Sequence, residues 1–151
     1  SRSAFTVGTD KTFFFRVVAA IADTSGAAEF AVGFRRAAAY TANIDDYTDF
    51  AVLNTQRSAT AADIKIETAL NNAATVTTDT TLDWADAAEH EIEVFVTKTR
   101  TVHYRVDGVV PPTVAAFTFD SGDVLIPFVY FLHHADLAGA VELREWECGF
   151  R

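Results

Sequence analysis

Apolar and polar residues alternate along this chain with a period of two, in short runs separated by clusters of Asp, Asn, Gly, Ser and Thr. A period of two puts successive side chains on opposite faces of a strand, and the helical period of about 3.6 residues is nearly absent. The pattern predicts ten strands, at 12–22, 29–37, 49–54, 62–69, 73–78, 89–97, 101–107, 113–119, 124–133 and 140–150. Strands this short and this regularly punctuated predict an all-β fold, a two-sheet antiparallel β-sandwich or jelly roll. Breakers stand where turns are needed, at Asp23-Thr24-Ser25-Gly26, Asp107-Gly108, Pro111-Pro112 and Asp120-Ser121-Gly122-Asp123. The Ala-rich pieces 36–40 and 59–62 can each make no more than a helical turn. Residues 1–11, small and polar apart from Phe5, are expected to be an arm or linker ahead of a single domain over 12–151.

One hairpin is legible down to its register. Ile92, Val94 and Val96 share one face of their strand, and Val102, Tyr104 and Val106 share one face of the next. With Lys98, Thr99 and Arg100 as the loop, Val96 meets Val102, Val94 meets Tyr104, Ile92 meets Val106, and Glu93 meets Arg105 on the other side. A slip of one residue would set valines against charges, so this register is strongly specified.

Composition narrows the function. A length of 151 residues fits one domain, and an apolar half with 13 Phe supplies a core, which excludes a disordered chain. The net charge is −9 and lies mostly in the second half, where residues 79–93 hold six acids and no Lys or Arg. Such a chain is a poor partner for nucleic acid, because phosphate neutralisation needs clustered Lys and Arg. Cys148 is the only cysteine, so no intrachain disulfide forms, and it reads as a small apolar residue. The longest apolar run, Val124 to Leu132, is nine residues and contains Pro127, well short of the ~18 to 20 of a membrane helix. No membrane partner is expected.

The segment from Trp84 through His90-Glu91-Ile92-Glu93-Val94-Phe95-Val96 to Val102-His103-Tyr104-Arg105-Val106-Asp107-Gly108 resembles the central hairpin of laminin-G-like and concanavalin A-like jelly rolls. The run Leu125 to Phe131 and the charged terminal strand ending Trp146-Glu147-Cys148-Gly149 are similar to the closing strands of the same fold. Abundant Ala, Thr and Asp, few Lys and no disulfide further resemble the jelly-roll structural proteins of tailed bacteriophages, capsid decoration proteins and fibre or appendage domains among them. What this resemblance implies is a non-enzymatic structural domain located in a virion. Its partners would be other virion proteins or copies of itself, with a cell-surface glycan in addition. A carbohydrate-binding module is the alternative, and a glycoside hydrolase of concanavalin-like fold the third reading.

Candidate chemistry is sparse. Glycosidases set two carboxylates on one face, about 5 Å apart in retaining enzymes, and the pairs Glu91/Glu93 and Glu145/Glu147 have the alternate spacing. Both pairs read first as solvated sheet faces with cross-strand Arg partners, so no catalytic residue is assigned. Asp45, Asp46 and Asp49 in the 43–49 loop offer hard oxygen ligands for calcium, and no other cofactor is expected. Trp84, Tyr40 and Tyr47 are the candidates for stacking a glycan, with Tyr130 and Trp146 also eligible. His133 and His134 are adjacent and point to opposite faces of a strand, so they cannot chelate one metal together. The unalternating run 124–132 and the triplet Phe13-Phe14-Phe15 imply either that both strand faces are covered or that one face packs on another subunit, and so motivate the expectation of oligomeric or capsid contacts.

Overall fold

The structure, a computed structural model, describes residues 4–57, 62–134 and 140–151. Ten antiparallel strands form two sheets: β1 Phe5–Thr6, β2 Phe13–Ile21, β3 Ala27–Arg36, β4 Phe50–Arg57, β5 Ala62–Ala69, β6 Val76–Trp84, β7 Glu89–Val96, β8 Val102–Val106, β9 Val124–His133 and β10 Val141–Phe150. The six-stranded sheet runs β1-β9-β3-β4-β5-β6 and the four-stranded sheet β10-β2-β7-β8. The expected all-β jelly-roll sandwich is the fold observed. Alternation produces the core directly: Phe13, Phe15 and Val17 from β2 meet Phe30, Val32 and Phe34 from β3, and Ile92, Val94 and Val96 close the same layer. Trp84, Tyr104 and Phe119 are among the largest side chains fully enclosed there. Burying each such side chain contributes about 1.5 to 3 kcal/mol.

The β7–β8 hairpin has the expected register, with Val96 opposite Val102, Val94 opposite Tyr104, Ile92 opposite Val106 and Glu93 opposite Arg105. Four expectations change. Residues 113–119 make only an isolated bridge, Thr118 opposite Thr101, with the Phe117 carbonyl accepting from Val102 N at 3.0 Å and Phe119 N donating to the Arg100 carbonyl at 3.3 Å; Phe117 and Phe119 set their rings 4.9 Å apart against the core. The strand expected at 73–78 runs instead from Val76 to Trp84, past a bulge at Thr80 and the left-handed Thr81 (φ 66°), opposite Ile64 and Lys65 of β5, that absorbs the irregular alternation. Of the residues expected to form an arm, Phe5 and Val7 are buried and β1 pairs with β9, while residues 1–3 lie outside the described residues. Helical turns form at Thr24–Gly26 and Ile44–Asp46, each capped by the preceding Asp23 or Asn43, and 36–40 has none; residues 59–61 of the second Ala-rich piece lie outside the described residues.

The apolar run 124–132 has a cause within the chain. Leu125 faces the main core, whereas Tyr130 and Phe128 face outward and are covered by the 37–49 loop, whose Ile44 and Tyr47 form a second small core with Phe50 and Val52. Arg35 braces that loop, its guanidinium 4.4 Å from the Tyr47 ring centre and donating to the Ala38 carbonyl at 3.1 Å. Phe13 and Phe15 point inward, while Phe14 lies outward beneath Arg151 at 5.2 Å. Within the chain Leu125, Phe128 and Tyr130 of the first run and Phe13 and Phe15 of the second are therefore covered, while Val124, Phe131 and Leu132 stay 44%, 40% and 42% exposed.

Candidate functional site

The outward face of the six-stranded sheet carries a polar cluster assembled by alternation within four strands and by their pairing. Pairing sets Glu29 of β3 opposite Gln56 of β4, and Asn54 of β4 opposite Lys65 of β5. Glu67 of β5 lies opposite Thr77 of β6. These residues share one face because each is an even number of positions from the next along its strand. Glu67 is 4% exposed and forms the floor, accepting from Asn54 Nδ2 at 2.6 Å, Gln56 Nε2 at 2.6 Å and Thr77 Oγ1 at 3.1 Å. Three donors account for the burial of one carboxylate. Asn54 is fully buried, and its Oδ1 has no hydrogen-bond partner among the described residues. Around this floor Glu29, Gln56 and Lys65 are half-buried, and Thr77 and Asp79 are exposed.

Glu29 is the electrostatic centre of the site. Burial pushes its carboxyl up to about 7, the negative charges of Glu67 and then Asp45 add to the rise, and a hydrogen bond with Asn54 opposes it. An aromatic wall stands beside it. The Tyr130 phenol is raised first by burial and then by the charge of Glu29, with Tyr40, Tyr47 and Asp45 contributing, so these groups surround one place. Tyr130 is anchored by donating to the Ala42 carbonyl at 2.8 Å. Tyr40 stands 80% exposed at the margin.

The residues singled out from sequence fare unequally. Of the three stacking candidates only Tyr40 is an exposed ring beside this cluster. Tyr47 is 4% exposed, wedged between Phe128 and Arg35, and Trp84 is 1% exposed inside the sandwich against Phe30, its indole N–H donating to the Ala88 carbonyl. The aspartates proposed for calcium are not brought together. Asp49 is buried and accepts from Asn71 N at 2.8 Å beside Arg36, Asp45 accepts from Thr75 Oγ1 at 2.7 Å, and Asp46 accepts from Thr41 Oγ1 at 3.3 Å. Among the described residues no group of three or more His, Cys, Asp or Glu is arranged to hold a metal ion. Glu91 and Glu93 lie on the outward face of the other sheet in an arginine ladder. Arg16 meets Glu91 at 2.8 Å and Glu145 at 3.4 Å, and Glu93 is held by Arg105 and Arg151. These carboxylates are committed to holding strands together.

The cluster itself was not singled out from the sequence. Its signal is present, in Asn54 and Gln56 interrupting an apolar strand and Glu67 following Ile64-Lys65-Ile66. Recognising it requires the pairing of β3, β4, β5 and β6, which alternation within each strand does not supply.

Among the described residues no helix is long and apolar enough to cross a membrane. By sequence, no family model and no curated protein matches this chain. By structure, the chain is similar to an alginate lyase of Pseudomonas aeruginosa, with a TM-score of 0.66, 8% identity, and coverage of 97% of this chain and 68% of that one. It is similar to sheep galectin-11 (TM-score 0.57, 10% identity, 96% of this chain and 95% of that one). A carbohydrate-binding module of Bacillus subtilis also aligns, at a TM-score of 0.58 and 14% identity over 94% of this chain and 75% of that one. The expectation of a non-enzymatic domain is overturned by the first of these, since the fold from which it was argued is also that of alginate lyases. The virion setting draws no support from these structures. The chain has the concanavalin-like β-sandwich fold that galectins, carbohydrate-binding modules and alginate lyases share.

Proposed function

We propose that the outward face of the six-stranded sheet binds carbohydrate. The observation that carries this reading is the Glu67 floor, which fixes Asn54, Gln56 and Thr77 beneath half-exposed Glu29 and Lys65 and beside the exposed ring of Tyr40. Sugars offer vicinal hydroxyls that act as both donor and acceptor and an apolar ring face. Rigid amides and carboxylates next to an aromatic ring complement both. Galectin-11 and the Bacillus module support the reading through their shared fold. Glu29, Asp45, Asp63, Glu67 and Asp79 outnumber Lys65 and Arg35 on this face and make it acidic, so the favoured ligand is a neutral glycan rather than a polyuronate.

A panel of immobilised neutral and uronate-rich oligosaccharides followed by titration calorimetry tests it. Binding to at least one neutral glycan is expected, weakened about tenfold or more in Gln56→Ala and Tyr40→Ala, neither of which removes a core contact. Failure to bind any neutral glycan, or unchanged affinity in both variants, would sink the proposal.

A second reading rests on Glu29 alone. A carboxyl held at about 7 beside a second carboxylate is tuned for proton transfer near neutrality, which suits glycosidic bond cleavage on this same face. Release of reducing ends from a bound polysaccharide, abolished in Glu29→Gln, is the expected result on this reading. Cleavage that survives Glu29→Gln would refute it.

A further inference from the structure

A pocket separate from the polar face of the six-stranded sheet opens where the end strands β6 and β8 of the two sheets approach one another. Its volume is about 310 Å³, within the range of small-molecule sites. Ile64, Leu82, Val106, Val109, Val110 and Pro112 give it an apolar lining. Val109 and Val110 are 67% and 59% exposed, an unusual placement for paired valines. They are held out by the turn at Asp107 (φ 52°) and Gly108 (φ 76°), across which Val106 and Val109 exchange backbone hydrogen bonds at 2.9 and 3.0 Å.

The same turn orients the pocket's polar group. Asp107 Oδ2 accepts from His90 Nδ1 at 2.7 Å, and Asp107 Oδ1 accepts from the Glu91 N–H at 2.9 Å, so the carboxylate is locked from both sides. The imidazole is also held edge-on against Trp84, with ring centres 4.7 Å apart. In the tautomer whose Nδ1 proton is donated to Asp107, Nε2 is a hydrogen-bond acceptor. No described residue is hydrogen-bonded to that nitrogen. Asp83 and Asp107 on the wall make the pocket unfavourable for an anion.

We propose that this pocket binds a compact, uncharged apolar alcohol, with its hydrocarbon body against Ile64, Leu82, Val106 and Val110 and its hydroxyl donating to Nε2 of His90. The proposal stands independently of the carbohydrate reading, because it uses different residues at a sheet edge rather than on a sheet face.

The test uses para-cresol, toluene and para-toluate as probes, titrated into the full chain and followed by protein NMR shifts. Para-cresol is expected to saturate with a Kd near or below about 1 mM, toluene to bind about tenfold more weakly, and para-toluate to cause no saturable shift. Val110→Asp, at an exposed position that leaves the core untouched, is expected to weaken para-cresol about tenfold or more. His90→Phe is expected to remove the preference for para-cresol over toluene. The proposal is overturned if para-cresol fails to saturate by about 10 mM, if toluene binds as well as para-cresol to the unmodified chain, or if Val110→Asp binds para-cresol unchanged.

Discussion

Glu29 shows how a single side chain couples the candidate site to stability. Its carboxyl stands at about 7 in the fold against 4.5 for the free group, chiefly because burial disfavours the charge and next because Glu67 and Asp45 repel it. A carboxyl raised on folding binds its proton more tightly in the native state than in the unfolded chain. Protonation of this group therefore favours the fold, and its contribution is lost as pH rises from 4.5 through about 7. Urea unfolding across that window should show wild-type stability declining more steeply with pH than that of Glu29→Gln. Equal slopes in the two proteins would dissociate Glu29 from the effect. The residue was invisible as a site residue in the sequence because Glu29 alone, at the start of a strand, looks like any exposed acid. Its character comes first from burial and then from the charge of Glu67, 38 positions away in the chain.

At the scale of the element, the strands form where alternation is regular and depart from expectation where it is not. The β7–β8 register was readable because a three-residue loop joins two strongly alternating runs, and a one-residue slip would bury charge. The pairing of β3 with β4 and β9 was not readable, since β9 is 88 or more positions beyond β3 and alternation carries no information about which distant strand lies alongside. Gly33 marks how closely these central strands approach. A Cβ there would lie 2.2 Å from the Ala51 carbonyl oxygen and 2.8 Å from Val52 Cα, both backbone atoms of β4 that can move only with the sheet. Gly33→Ala is expected to cost about 1 to 3 kcal/mol of stability, read as a lower urea midpoint at unchanged slope. A midpoint equal to that of the wild type would show that β4 moves aside freely.

For the molecule as a whole, charge is the long-range term. A net charge of −9 repels itself, and the ion pairs that offset it are mostly exposed, as in Arg144 with Glu142 and Glu89 or Arg16 with Glu145 and Glu147. Exposed pairs contribute roughly 0 to 1 kcal/mol each, so screening removes more repulsion than attraction. Raising the salt from about 0.01 to 0.15 M, which shortens the screening length from roughly 30 to 8 Å, should raise Tm by a few degrees. A fall in Tm over that range would mean that the arginine ladder on the four-stranded sheet outweighs the net repulsion.

What the sequence determined by itself is local: the β class, most strand positions, the turn at Asp107-Gly108 and one complete hairpin, because side-chain alternation and turn chemistry act over a few residues. It also bounded the chemistry, through the acidic balance, the single cysteine and the absence of a long apolar segment. Only the tertiary structure decided which polar residues meet. Glu29, Asn54, Gln56, Glu67 and Thr77 become one cluster through the pairing of four strands, and Trp84 leaves the list of stacking residues because two sheets close over it. The physical reason is common to both. A site needs groups from distant parts of the chain within hydrogen-bond reach, and that distance is set by strand order and sheet packing, which no local pattern encodes.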